Sequence, residues 1–174
     1  MKGKALILIG YMGCGKTTVS KLLAERSGKE LLDSDLCIEK EAEMSINEIF
    51  ASEGEATFRQ METELLEKLV KEGFDGILSC GGGMPLREEN RELLKQLGTV
   101  VYLKAAPEVI ASRLKDDQSR PLLKGLNDEE KVKKIREMLS LREAAYAAGA
   151  DLEIDTGEMS QEEVASCIFN SIHI

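Results

Sequence analysis

The chain has 174 residues, 43% hydrophobic and 32% charged, which fits one globular domain with a substantial core. Its net charge of −9 argues against nucleic acid and anionic membrane as partners, since both select a basic surface. Cys14, Cys37, Cys80 and Cys167 form no C-x-x-C pair, which fits neither a zinc site nor a disulfide framework and points to reduced thiols in a cytoplasmic protein.

The N-terminus carries Lys2 and Lys4 before an apolar run, as secretory signals do. That run is short and meets Lys16 with no small-residue cleavage site. No stretch approaches the ~20 apolar residues of a membrane span. The run at 5–9 is instead a strand leading into Gly10-Tyr11-Met12-Gly13-Cys14-Gly15-Lys16-Thr17, which fits the phosphate-loop pattern G-x-x-x-x-G-K-[ST]. A helix follows over 17–26. Strand, glycine loop and helix N-terminus form the context the motif needs, because main-chain N–H groups and the helix dipole then face an anion together. Lys16 is expected to reach the outer phosphates and the Thr17 hydroxyl to ligate magnesium. Oxidation of Cys14 would block the loop; an inert small residue is the plainer reading.

A short strand at 30–32 leads into Asp33-Ser34-Asp35, on the same sheet edge as the loop. Read as strand residues two apart, the two carboxylates point the same way. One then acts on magnesium through its waters, and the other holds substrate hydroxyls and takes a proton from the attacking one. An acidic turn capping the next helix is the alternative, and it stays open. Ser45 to Glu48 reads as a capping box. The stretch 57–71 places Phe58, Met61, Leu65, Leu66 and Leu69 on one helical face, with Arg59 near its start.

A strand at 76–80 ends in Gly81-Gly82-Gly83. Three glycines there suit close approach of backbone to a ligand. A strand at 99–103 precedes a helix opened by Pro107 and running to about residue 115. The polar segment 116–125, with Arg120-Pro121, lacks a period and reads as a lid. A charge-laced helix covers 128–148 and carries Arg142 four residues before Tyr146. A strand at 152–154 and a capping box at Ser160 to Glu163 close the chain. The single histidine, His173, stands next to the C-terminus and reads as a bystander, so the carboxylates inherit the role of base. Strands alternating with helices predict an α/β domain with a parallel sheet.

Taken in order, the phosphate loop continued by Thr18-Val19, the Asp33/Asp35 pair, Ile49-Phe50 with Gly54-Glu55, Phe58-Arg59 with Glu62, Gly81-Gly82-Gly83, Arg120-Pro121-Leu122, Arg142 with Tyr146, and Asp155-Thr156 resemble the shikimate kinase family over nearly the whole chain. That resemblance implies a P-loop kinase fold of the nucleoside-monophosphate-kinase type, three layers α/β/α around a five-stranded parallel sheet in order 2-3-1-4-5. It implies one domain over 1–174, with a substrate-binding helical region about 34–62 and a lid about 113–126. The implied reaction is ATP-dependent phosphorylation of the shikimate 3-hydroxyl, on the route to chorismate and the aromatic amino acids. Gly10, Gly13, Cys14, Gly15, Lys16, Thr17 and Thr18 would hold ATP. Lys16, Asp35 and Arg120 would be catalytic, with Asp35 the base and Arg120 closing over the transferring phosphoryl group. Mg2+ would be held by Thr17 directly and by Asp33 through water. Arg59 and Arg142 would clamp the shikimate carboxylate, Gly81, Gly82 and Gly83 would lie against its ring, and Arg113 would flank the adenine. A monomer is expected.

Two features depart from the family pattern: Cys14 is larger than the usual residue there, and the lid has only Gly125 as a hinge glycine. Gluconate kinase and nucleoside monophosphate kinases are the rivals within the fold. A nucleotide-dependent switch is the rival outside it, although the chain lacks the N-K-x-D stretch of a GTPase.

Overall fold

A computed structural model of the chain describes residues 3–115, 123 and 125–172. Most of the expected lid, Arg120 included, and His173 lie outside the described residues. Among the described residues five parallel strands form one sheet: β1 (Ala5–Ile9), β2 (Leu31–Asp33), β3 (Ile77–Ser79), β4 (Gly98–Lys104) and β5 (Leu152–Asp155). Their spatial order is β2-β3-β1-β4-β5, as the family resemblance implies. β1 is central and wholly buried, which explains why its sequence is an unbroken apolar run rather than an alternating one. It pairs Leu8 with Ser79 on one side and Ile9 with Tyr102 on the other.

Among the described residues eight α-helices connect and cover the strands: α1 (Lys16–Ser27), α2 (Ser34–Ala42), α3 (Ile46–Ser52), α4 (Glu55–Glu72), α5 (Glu88–Leu97), α6 (Pro107–Arg113), α7 (Asp128–Gly149) and α8 (Gln161–Ile172). α1 packs on β3 and β2 and against α8, while α5 and α7 pack on each other and on β4. Among the described residues no helix is long and apolar enough to cross a membrane. The expected caps form: Ser45 with Glu48 opens α3, and Ser160 exchanges hydrogen bonds with Glu163 ahead of α8. A third box, Asn127 with Glu130, opens α7.

Some elements differ from the sequence reading. α4 begins two residues earlier, at Glu55, because Gly54 supplies the turn with φ 84°. α5, which alternation alone did not single out, runs into β4 without a connecting loop.

The strand order dictates where chemistry happens. The connections leave β1 toward β2 on one side and return toward β4 on the other, so a crevice opens at the carboxyl ends of the central strands. The phosphate loop after β1, the acidic pair after β2, the glycine triplet after β3 and Thr156 after β5 all meet that edge.

Candidate active site

The phosphate loop curls between β1 and α1 with Gly13 at φ 74° and Gly15, the N-cap of α1, at φ 97°, conformations that side chains rarely adopt. Lys16 folds back over the loop, and its Nζ donates to the carbonyls of Gly10 at 2.8 Å and Tyr11 at 3.0 Å. Cys14 is buried beneath the loop, with Sγ 3.8 Å from Lys16 Nζ. Its thiol therefore packs inward, and only its main chain is offered to a phosphate. Thr17 and Thr18 are exposed on the first turn of α1 and line the cleft with Met12, Gly13, Gly15 and Lys16.

Asp33 and Asp35 line the same cleft of about 330 Å³. Their backbone setting corrects the strand-based reading. Asp33 ends β2 and is the N-cap of α2, whereas Asp35 lies in the first turn of that helix. Asp33 Oδ1 accepts from the N–H groups of Asp35 at 3.0 Å and Leu36 at 3.3 Å. The capping role is thus real, and it coexists with a place at the cleft. Helix geometry rather than strand alternation brings the two carboxylates together. Their proximity has an electrostatic consequence: burial, then the Asp33 charge, raises the Asp35 carboxyl above its ordinary 3.8, against the pull of Lys16.

Gly81 and Gly83 stand where side chains have no room. A methyl at Gly81 would collide with the Asp35 carboxylate, and one at Gly83 with the Arg59 guanidinium. The turn is pinned from below. The Gly81 N–H donates to the buried Ser34 hydroxyl at 2.8 Å. Tyr146 donates its hydroxyl to the Gly82 carbonyl at 2.7 Å. The buried Asn90 side chain donates to Met84 O at 2.9 Å and accepts from Thr63 at 2.7 Å.

Two arginines flank this turn. Arg59, on α4, donates to the fully buried Glu62 at 2.8 Å and to the exposed Glu55 at 3.3 Å. Burial alone would lower the guanidinium's value; the hydrogen bonds and charges of Glu62 and Glu55 outweigh it and raise it. Glu62 itself is raised by burial, with Arg59 pulling the other way. Arg142, on α7, lines the cleft and stacks with its Cζ 5.6 Å from the Tyr11 ring centroid. Burial pushes the neighbouring Tyr146 hydroxyl up to about 12, so it stays a protonated donor at neutral pH. Arg113, at the end of α6, donates to Gly13 O at 3.3 Å and to both oxygens of Thr156.

One cleft thus holds an ammonium, a pair of carboxylates, a glycine turn and a guanidinium, with a second guanidinium behind the turn. That arrangement suits an anionic nucleotide tail at one end and a hydroxylated acid at the other. The family model for shikimate kinase matches residues 12–173. The chain belongs to the shikimate kinase family. Shikimate kinase of Geobacter sulfurreducens is 46% identical over 165 residues, 94% of this chain and 88% of that one. Shikimate kinase of Bacillus cytotoxicus is 42% identical over 170 residues, 98% of this chain and 99% of that one. Among solved structures, shikimate kinase of Acinetobacter baumannii in complex with shikimate is 38% identical, with a TM-score of 0.86 covering 98% of this chain and 93% of that one. The enzyme of Bacteroides thetaiotaomicron is 30% identical, with a TM-score of 0.88 and 98% of each chain covered.

Of the residues singled out from sequence, Lys16, Thr17, Thr18, Asp33, Asp35, the glycine triplet and Arg142 come together around this cleft. Arg59 stands against Gly83, and Arg113 against Gly13. Ser34, Tyr11, Asn90 and Thr156 were assigned no role. Ser34 carried a usable signal, a small hydroxyl between two carboxylates. Tyr11 and Thr156 lie inside motifs already noted, but their side-chain partners are far away in the chain, and Asn90 carried no signal.

Proposed function

We propose that this kinase transfers the γ-phosphoryl group of ATP to the 3-hydroxyl of shikimate, giving shikimate 3-phosphate and ADP for chorismate and aromatic amino acid biosynthesis. The observation that carries the reading is the single cleft shared by Lys16, Asp35 and Arg142, beside a chain-length match to shikimate kinases. Phosphoryl transfer asks a protein mainly to line up two oxygens and neutralise charge. In this reading the loop amides of Gly10 to Thr18 cradle the phosphates, and Lys16 leaves its carbonyl partners to meet the β- and γ-oxygens. Asp35 accepts from shikimate hydroxyls and takes the proton of the attacking one. Its raised value suits a group that must accept that proton and later release it.

Arg59 and Arg142 grip the shikimate carboxylate, which fixes the ring while the chemistry happens at its other end. Glu62 holds one side of Arg59, leaving the exposed Glu55 as the partner a substrate carboxylate displaces. The assignment of Arg120 to the transferring phosphoryl group rests on the family resemblance alone.

The donor set fits magnesium, a hard ion that keeps most of its waters and takes one or two protein oxygens. Thr17 would bind it directly and Asp33 through water. When bound, it neutralises phosphate oxygens.

A coupled assay of ADP release with shikimate, gluconate, AMP and CMP in turn tests the reading. ADP release is expected to depend on shikimate. Release with gluconate or a nucleoside monophosphate, and none with shikimate, would overturn it.

A further inference from the structure

The phosphate loop fixes where a triphosphate sits but not where the nucleoside goes. Asp35 and the glycine triplet follow β2 and β3, on one side of β1. The base end of a nucleotide must therefore leave over the opposite side, above β4 and β5. Arg113 and Thr156 meet there. Arg113 Nη1 donates to Thr156 Oγ1 at 3.0 Å and to Gly13 O at 3.3 Å, and Nη2 donates to Thr156 O at 2.7 Å.

Thr156 is itself immobilised. Only 2% of it is exposed. Its N–H donates to Lys104 O at 2.8 Å, and its hydroxyl donates to the same oxygen at 2.9 Å. A hydroxyl has one proton. With that proton directed at Lys104, Oγ1 can only accept from Arg113, and a guanidinium can only donate. The end of the sheet therefore dictates the polarity of the contact. Lys104 is paired with Asp155 in the β4–β5 ladder, so the anchor is as rigid as the sheet.

We propose that Thr156 is a positioning residue for the nucleotide: it holds the Arg113 guanidinium by its edge against the Gly13 carbonyl, locking the base end of the cleft to the phosphate loop. With its edge engaged, the guanidinium presents its flat face, the surface that stacks on a planar base. The inference rests on the reading above for the use of a nucleotide, but not for the identity of the acceptor.

The test is calorimetric titration of ADP, with no acceptor present, into wild type, Thr156→Val, Thr156→Ser, Arg113→Ala and the Arg113→Ala/Thr156→Val double variant. Steady-state KM values and Tm are measured alongside. Losing one hydrogen bond on a partly exposed guanidinium should weaken ADP about fivefold and raise the KM for ATP by the same factor. The KM for shikimate and kcat at saturating ATP should stay within about twofold, and Thr156→Ser should restore binding. In the Arg113→Ala background, Thr156→Val should change ADP affinity by less than about twofold, because the residue acts through Arg113.

Unchanged ADP affinity in Thr156→Val, equal weakening of both substrates, failure of serine to restore binding, or a full further loss in the double variant would each overturn the proposal. Should Thr156→Val not fold, Thr156→Cys, which keeps the volume with a poor acceptor, carries the same expectations. Normal ADP titrations with no turnover of shikimate would instead sink the functional reading and leave this one standing.

Discussion

In the function proposed above, the two ends of the cleft recognise anions by different means. The phosphate-loop end is built from one continuous stretch of chain, and its shape comes from backbone: glycines in the left-handed region and a helix N-terminus. The acceptor end is built from α2, the turn after β3, α4 and α7, and its shape comes from side chains: Asp35 over Gly81, Arg59 against Gly83, Glu62 behind Arg59, and Arg142 on Tyr11. Backbone recognition needs a rigid local conformation and tolerates a change such as Cys14, whose thiol turns away into the core. Side-chain recognition needs charges balanced against burial, and each member depends on the next.

Perturbations ought to separate these two designs. The largest effect is expected where the ends meet. Lys16→Met should lower kcat on the order of 10³-fold with the far-ultraviolet spectrum unchanged, since it removes charge stabilisation without touching the loop backbone. Loss below tenfold would mean that the loop amides alone carry the phosphate charge.

Next is the carboxylate proposed as the base. Asp35→Asn should lower kcat by about 10²-fold or more while ATP binding stays near wild type. A kcat within tenfold of wild type would reduce Asp35 to an orienting group.

On the acceptor end alone, Arg59→Ala should raise the KM for shikimate by roughly 10- to 150-fold, the equivalent of about 1.5–3 kcal/mol for a charge-assisted contact. The KM for ATP should stay put, and a parallel rise in both would show that the ends are not independent. Gly83→Ala probes the same arginine from the other side. The added methyl must push the Arg59 guanidinium aside, so the KM for shikimate should rise about fivefold, less than for outright loss of the charge.

The smallest effect concerns pH. Burial raises the Glu62 carboxyl above its ordinary 4.5, so the folded chain keeps that proton after the unfolded chain has released it. The stability contributed by the retained proton is present below about pH 4.5 and is lost as pH rises through the folded value. Glu62→Gln removes this slope. In urea unfolding, wild-type stability relative to the variant should therefore fall as pH increases from 4.5 toward neutral. A difference that grows with pH would mean that the Arg59 pairing outweighs the desolvation.

These contrasts also explain what could be read before folding. The strand boundaries fell within about two residues because β1, β3 and β4 are apolar runs bounded by glycine or charge. The capping boxes of α3 and α8 were legible because both partners sit three residues apart. The strand assignment of Asp35 failed because β2 ends at Asp33 and the helix begins at once, a change of period that the apolar pattern does not mark. Tyr146 meeting Gly82, Ser34 meeting Gly81 and Arg113 meeting Thr156 span 64, 47 and 43 residues, and no local spacing encodes such contacts.

What the sequence by itself determined was the phosphate loop, the alternation of strands and helices, and, through an ordered set of motifs, the family. These are properties of neighbours along the chain, written in glycine placement, capping pairs and apolar period. What only the tertiary structure decided was how the charges are balanced: which carboxylate caps a helix, which arginine is held by a buried glutamate, and which threonine holds Arg113 beside the loop. Those outcomes depend on burial and on partners dozens of residues away, because the strength of an ion pair or hydrogen bond is set by the surroundings that folding creates.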